Sequence, residues 1–175
     1  MERKTVTKFR WFWAWNDEKE ERWLEEMARQ GWHLERPGFP GFYHFAAGEP
    51  REVAYCLDFR SDSLTKLAEY RQICRDAGWE EVGRMGSWHY FRKGFADGRL
   101  PEFFSDRASR AQKYQRLLLF LVIMLPLVLN GVRLLLRREP TALRDVLGGL
   151  YGLVLLGMAV AIIRLIMRIR ELKKG

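Results

Sequence analysis

Two apolar runs near the C-terminal end constrain this chain more than any other feature. Residues 117–136 read LLLFLVIMLPLVLNGVRLLL, and residues 146–167 read VLGGLYGLVLLGMAVAIIRLIM. A helix rises about 1.5 Å per residue, so about 20 apolar residues cross the hydrocarbon of a bilayer. Both runs are long enough, and residues 137–145 between them are too few for a domain. A transmembrane hairpin is the expectation. Arg133 and Arg164 lie near the ends of the runs, where a long side chain can reach the headgroups. Pro126 should kink the first helix. Asn130, costly in lipid if unpaired, should hydrogen-bond a neighbouring helix or backbone. In the second helix, Gly148 and Gly152, then Gly157 and Ala161, set small residues four apart, making a strip that another helix can approach closely. Packing within the hairpin is the first expectation for that strip. A second copy of the chain or a partner membrane protein is the alternative.

Charge follows the same division. Through Phe95 the chain carries 16 Lys/Arg and 16 Asp/Glu; beyond it the counts are 14 and 6, so the whole +8 lies there. Eight of those cations flank the runs, at Arg107, Arg110, Lys113 and Arg116, then at Arg168, Arg170, Lys173 and Lys174. The connecting loop holds Arg137, Arg138 and Arg144. The positive-inside rule then puts both termini in the cytosol of a multi-pass cell-membrane protein. Cations so placed suit acidic lipid headgroups, not nucleic acid. Lys8 and Arg10 interrupt any apolar leader at the N-terminus, so no signal peptide is expected. The resulting division is a cytosolic domain at 1–95, a basic juxtamembrane linker at 96–116, helices at 117–136 and 146–167, and a basic tail at 168–175.

Within the first 95 residues one pattern occurs twice, at about 8–46 and 52–93. Phe9, Trp11, Trp13 and Trp15 alternate with Lys8, Arg10, Phe12 and Ala14, the period of a half-buried strand; Val53, Tyr55, Leu57 and Phe59 repeat it. Helix-start signals follow, Asn16-Asp17 with Glu20, and Ser61-Asp62-Ser63. Trp23, Leu24, Met27 and Ala28 stripe the first helix; Leu64, Leu67, Ala68, Cys74 and Ala77 stripe the second. Both end at Gly-Trp, Gly31-Trp32 and Gly78-Trp79, and aromatic strands follow at 41–45 and 86–91. The expected fold class is α+β: a duplicated strand-helix-strand-strand domain with one sheet and two helices on one face, followed by the transmembrane hairpin. The tryptophan stripe should pack beneath those helices.

The opposite sheet face carries the functional expectation. With Phe45 and Phe91 turned inward, Phe42, His44, Trp88 and Tyr90 should turn outward and join Arg10, Phe12 and Asp58. Exposed aromatics in that number suggest a binding surface for a small hydrophobic or cationic ligand, with Asp58 adding a carboxylate and His44 pH sensitivity. The alternative is that they pack against the N-terminal arm, the loop at 94–110 or the membrane interface.

The aromatic and Gly-Trp positions in KFRWFWAWNDEKEERWLEEMARQGWHL, FYHF and GWEEV…WHYF resemble an uncharacterised bacterial membrane-anchored family, domain of unknown function 2812, over about residues 6–93. The resemblance implies a globular domain with membrane helices behind it, in a bacterial regulatory or envelope setting, often encoded beside PadR-like regulators. It carries over no catalytic residue. In element order alone, the duplicated module is also similar to GyrI-like domains, which hold small aromatic or cationic molecules in a cleft between halves.

Motifs for chemistry are scarce. Gly38-Phe-Pro-Gly41 is a turn and no phosphate loop; His33, His44 and His89 are scattered and read as surface or interface histidines; Cys56 and Cys74 have no metal or redox spacing. The run Glu18, Glu20, Glu21, Glu25, Glu26 reads as a solvated helix face with Arg22 and Arg29. No cofactor, metal or catalytic residue is expected. The functional expectation is a membrane-tethered sensory or regulatory module whose aromatic domain binds a small molecule or peptide. The alternative is a non-catalytic accessory subunit docking through the glycine-rich second membrane helix.

Overall fold

A computed structural model describes residues 4–95, 101–103, 107–137, 139 and 141–174, with backbone alone at 107–109. The chain divides into two units, Met1–Ser105 and Asp106–Gly175. In the first, the order is β1 (Thr5–Phe9), α1 (Asp17–Arg29), β2 (Trp32–Gly38), β3 (Phe42–Ala47), β4 (Val53–Phe59), α2 (Leu64–Asp76), β5 (Glu80–Met85) and β6 (Trp88–Gly94). Strand-helix-strand-strand thus occurs twice, and the class is α+β as expected. Both helices stop where expected, at Gly31 and Gly78, each with φ +81°, a conformation that carries little penalty only for glycine.

The first strand lies earlier than the aromatic alternation suggested. Phe9 pairs with Phe42, the first residue of β3, and the Arg10 N–H donates to the Gly41 carbonyl at 2.9 Å. Beyond that point the neighbouring chain turns away at Gly38–Gly41, so residues 11–15 have no strand among the described residues to pair with. Trp11 and Trp13 are therefore 53% and 51% exposed, not core residues, and Phe12 is the ring that turns inward.

The strands hydrogen-bond as two antiparallel three-stranded sheets, β1-β3-β2 and β4-β6-β5, where the sequence reading drew one. The reason lies in the facing edges. β2 is bulged between Leu34 and Arg36, β5 between Glu81 and Gly83, and Pro37 has no N–H to offer. Two bulged edges, one with a proline, pack together with Gly83 against Pro37 but do not zip into one ladder. A methyl group on Gly83 would come within 2.9 Å of the proline ring.

Layering follows from this split. Leu24, Met27 and Ala28 of α1 pack with Leu34, Tyr43 and Phe45 of the first sheet and with Tyr55, Leu57 and Tyr90 of the second. The other face of the second sheet, with Ala54, Cys56 and Phe91, takes Cys74 and Tyr70 of α2, Trp79 and Phe103. So the helices do not share one face: α1 fits between the sheets and α2 lies outside the second. Phe95 and Phe103 join that outer cluster, while Phe104 lies outside the described residues. Every residue of β4 is buried, because one of its faces belongs to each cluster.

In the second unit, α3 (Arg107–Leu136) and α4 (Ala142–Lys174) form an antiparallel pair, both long and apolar enough to cross a membrane. α3 begins inside the stretch read as a linker, of which residues 96–100 and 104–106 lie outside the description, as does Arg138 of the loop. On α4 the residues turned inward are Tyr151, Leu155, Met158, Ile162, Leu165 and Ile169, at alternating four- and three-residue steps, the spacing of a helix–helix seam. Gly131 of α3 meets Tyr151, whose hydroxyl oxygen would lie 2.8 Å from a methyl group there. The glycine strip is largely off this seam. Gly148 lies 4.0 Å from Leu135 by the same measure, but Gly152 and Gly157 have nothing within 4 Å, and Ala161 sits beside the seam at Ile162. Packing within the hairpin thus does not account for the strip. Asn130 is exposed, one residue from Gly131 and off the seam.

Candidate functional site

Of the seven residues expected on one open face, Arg10 is exposed with its guanidinium over the Phe12 and Trp23 rings, and the other six occupy three places. Phe42 and His44 do lie outward on the first sheet; Phe42 is 42% exposed beside Phe9, ring centroids 5.1 Å apart, and the His44 Nδ1 is 2.9 Å from the Thr7 hydroxyl. Phe12, Trp88 and Tyr90 belong to the inner core around α1: Phe12 packs on Trp23 and Tyr43, Trp88 on Phe59, and Tyr90 is fully buried. Asp58 is also fully buried, on the α2 side, where it accepts a 2.8 Å hydrogen bond from the Tyr70 hydroxyl and faces Arg60 at 3.9 Å. The cause is the split of the sheet. Alternate residues of β4 and β6 both find cover, so the second half has no open face to offer.

What sequence reasoning missed is the inner side of α1. Glu20 and Glu25 are buried and not solvated. The Glu20 Oε1 accepts hydrogen bonds from Tyr43 at 2.7 Å and from Tyr90 at 2.6 Å, joining one tyrosine from each half. Burial is the main cause that raises the Glu20 carboxyl above its ordinary range, and Asp17 nearby adds to it, against the lowering effect of the two hydroxyls. The same burial, compounded by the Glu20 charge, holds the Tyr43 and Tyr90 hydroxyls protonated. The adjacent Glu21 and, a turn further on, Glu25 accept the backbone N–H groups of Leu57 (2.7 Å) and Tyr55 (3.4 Å). β4 is an edge strand, and α1 covers that edge with side-chain acceptors. A signal was present: stepping back by 3–4 from Leu24 along its stripe lands on Glu20 and Asp17. This cluster is closed and built as a structural joint.

The open feature is the seam between the sheets. A groove of about 760 Å³ runs along the β2 and β5 edges. His33, Glu35, Glu49 and Arg51 line it from the first half and the linker to β4; Glu80, Arg92 and Lys93 line it from the second. Arg92 reaches across: its Nε and Nη2 hold the Glu80 carboxylate at 2.9 and 3.0 Å, while Nη1 donates to the Leu34 carbonyl at 3.3 Å. Lys93 donates to the Ala77 carbonyl at the end of α2, and the buried His33 ring lies 2.9 Å from the Glu49 carbonyl. His89, also expected at a surface, is buried with its Nδ1 2.7 Å from Glu81. Chemically the groove offers both signs of charge and two bulged strand edges, a lining for a polar molecule that both donates and accepts.

Residues 16–125 match the family described as protein of unknown function DUF2812. The chain belongs to this family. The shared DUF2812 span takes in α1 through β6 and the first part of α3, and so contains the Glu20 joint and the whole groove. It leaves out β1, the residues up to Trp15, and all of α4. No curated protein and no solved structure matches the chain. Among the described residues, no three His, Cys, Asp or Glu side chains are grouped to hold a metal ion.

Proposed function

We propose that this DUF2812 protein is a membrane-tethered binding module of a sensory or regulatory kind, with both termini cytosolic, and that its ligand sits in the groove between the two sheets. The groove carries this reading. It lies on the line where the halves meet, is framed by Arg92 bridging from one half to the other, and has a volume within the range of small-molecule sites. Its mixed lining favours a zwitterionic small molecule or a short peptide over the hydrophobic ligand that the aromatic content suggested. A molecule bound there would touch both halves and so bias their arrangement, which is what a sensor requires.

The test is a thermal-shift screen of the purified full chain in detergent against amino acids, dipeptides and tripeptides. A ligand that raises the midpoint should lose its effect in Glu35→Ala and Arg51→Ala, two exposed groove residues, while Leu64→Ala keeps it. Hits that survive both groove substitutions would move the site elsewhere. Reporter fusions at the C-terminus test the topology, and an exported C-terminus would contradict it.

A second reading, an accessory subunit docking through its membrane helices, has one observation in its favour: Gly152 and Gly157 are left uncovered by α3. Gly152→Leu would abolish co-purification of a membrane partner on this reading and leave the groove unaffected.

A further inference from the structure

The aromatic arm that failed to become a strand has a second feature of its own: its rings are outside. Phe9, Trp11 and Trp13 are 60%, 53% and 51% exposed, and Phe39, on the turn beside them, is 84% exposed. Their ring contacts fall in two sets. Phe9 lies against Phe42, Trp11 meets Trp13 edge-on at 5.6 Å, and Trp13 stacks on Trp15 at 5.2 Å with the rings 6° apart. The hydrogen bond from Arg10 to Gly41 holds arm and turn side by side, and Phe12 pins the arm by packing inward on Trp23 and Tyr43. Rings of this size in contact with water, on an exposed turn and the arm beside it, mark a surface that something covers.

We propose that this patch docks on the surface of the bilayer that the apolar hairpin enters. Three observations favour lipid as the occupant. Tryptophan and phenylalanine side by side suit the headgroup level, where an apolar ring body and an indole N–H are both satisfied. Residues 4–15, KTVTKFRWFWAW, contain no carboxylate, so although Lys8 and Arg10 turn toward Met27 and Trp23 of α1, the arm presents no negative charge to repel acidic headgroups. The tether is short: eleven residues separate Phe95 from Arg107, a reach of at most about 40 Å. The patch is separate from the groove and does not depend on it.

The chain supplies its own probe. All seven tryptophans, at 11, 13, 15, 23, 32, 79 and 88, precede residue 96, so tryptophan emission reads the globular unit alone. The full chain is reconstituted in phosphatidylcholine–phosphatidylserine vesicles whose acyl chains are brominated near the headgroup, with unbrominated vesicles as reference. Docking predicts quenching of the emission that is largely lost in Trp11→Ala/Trp13→Ala and is reduced by Phe39→Ser, while Trp32→Ala retains it. Should the tryptophan pair disturb the fold, Phe39→Ser, at the exposed turn, gives the same reading without touching the arm. Emission equally bright in both vesicles, or quenching unchanged in both variants, would overturn the proposal and leave the rings to a protein partner.

Discussion

The helices α1 and α2 hold the same place in the two halves of the globular unit, yet they are buried very differently. α1 hides Asp17, Glu20, Leu24, Glu25, Met27 and Ala28 and touches both sheets. α2 hides Leu67 and Cys74, covers one face of the second sheet, and leaves Leu64 83% and Ile73 65% exposed. The same order of elements thus supports two unequal roles. α1 is the post around which the halves close, and its acids are the means: Glu20 gathers a tyrosine from each half while Glu21 and Glu25 cover the edge of β4. α2 is a lid on a sheet already formed.

The comparison is broken or sharpened first by truncating matched leucines. Leu24→Ala, at a fully buried site shared by both sheets, should cost toward the upper end of about 2–5 kcal/mol. Leu67→Ala should fall toward the lower end, and Ile73→Ala should stay within about 0.5 kcal/mol. Denaturant unfolding of the detergent-solubilised chain, followed by tryptophan emission, measures all three; equal costs for Leu24 and Leu67 would erase the distinction between the helices.

Next come the two tyrosines that bond buried carboxylates. Tyr90→Phe removes one of the two hydroxyls on Glu20 and should cost about 1–3 kcal/mol. Tyr70→Phe should cost less, because Arg60, with part of its side chain in water, remains near Asp58. The order Tyr90 above Tyr70 in the same unfolding assay is the expected result.

The smallest effect is a pH dependence. Glu20 is raised above its ordinary 4.5 by burial, so its protonated form is favoured in the fold. That contribution is complete below pH 4.5 and is lost as the pH rises through the raised value. Glu20→Gln, whose amide oxygen still accepts from both tyrosines, should therefore remove part of the fall in stability between acid and neutral pH. A steeper fall in the variant would contradict this sign.

Much of the fold was legible in the sequence. The helix stops at Gly31 and Gly78, the aromatic strands β3 and β6, and the two long apolar helices follow from local rules that tertiary contacts do not overturn. The site was not, for two reasons. Alternation at Phe9–Trp15 signals a strand only if a partner runs beside it, and the turn at Gly38–Gly41 removed that partner. Alternation in β4 and β6 suggested one open face, but with helices on opposite sides of the second sheet both faces are covered. Buried glutamates were hidden by the habit of assigning helix carboxylates to solvent, although their spacing to Leu24 matched the apolar stripe. The groove depends on two bulges, which no periodicity announces.

The most direct measurement of the role given to α1 is amide hydrogen exchange at the β4 edge. The N–H groups of Tyr55 and Leu57 point away from β6 to Glu25 and Glu21, so they should be protected as strongly as central-strand amides of β6, and Glu21→Ala/Glu25→Ala should release them selectively. If Tyr55 and Leu57 exchange in the parent chain as fast as an open strand edge, α1 does not bind the halves together.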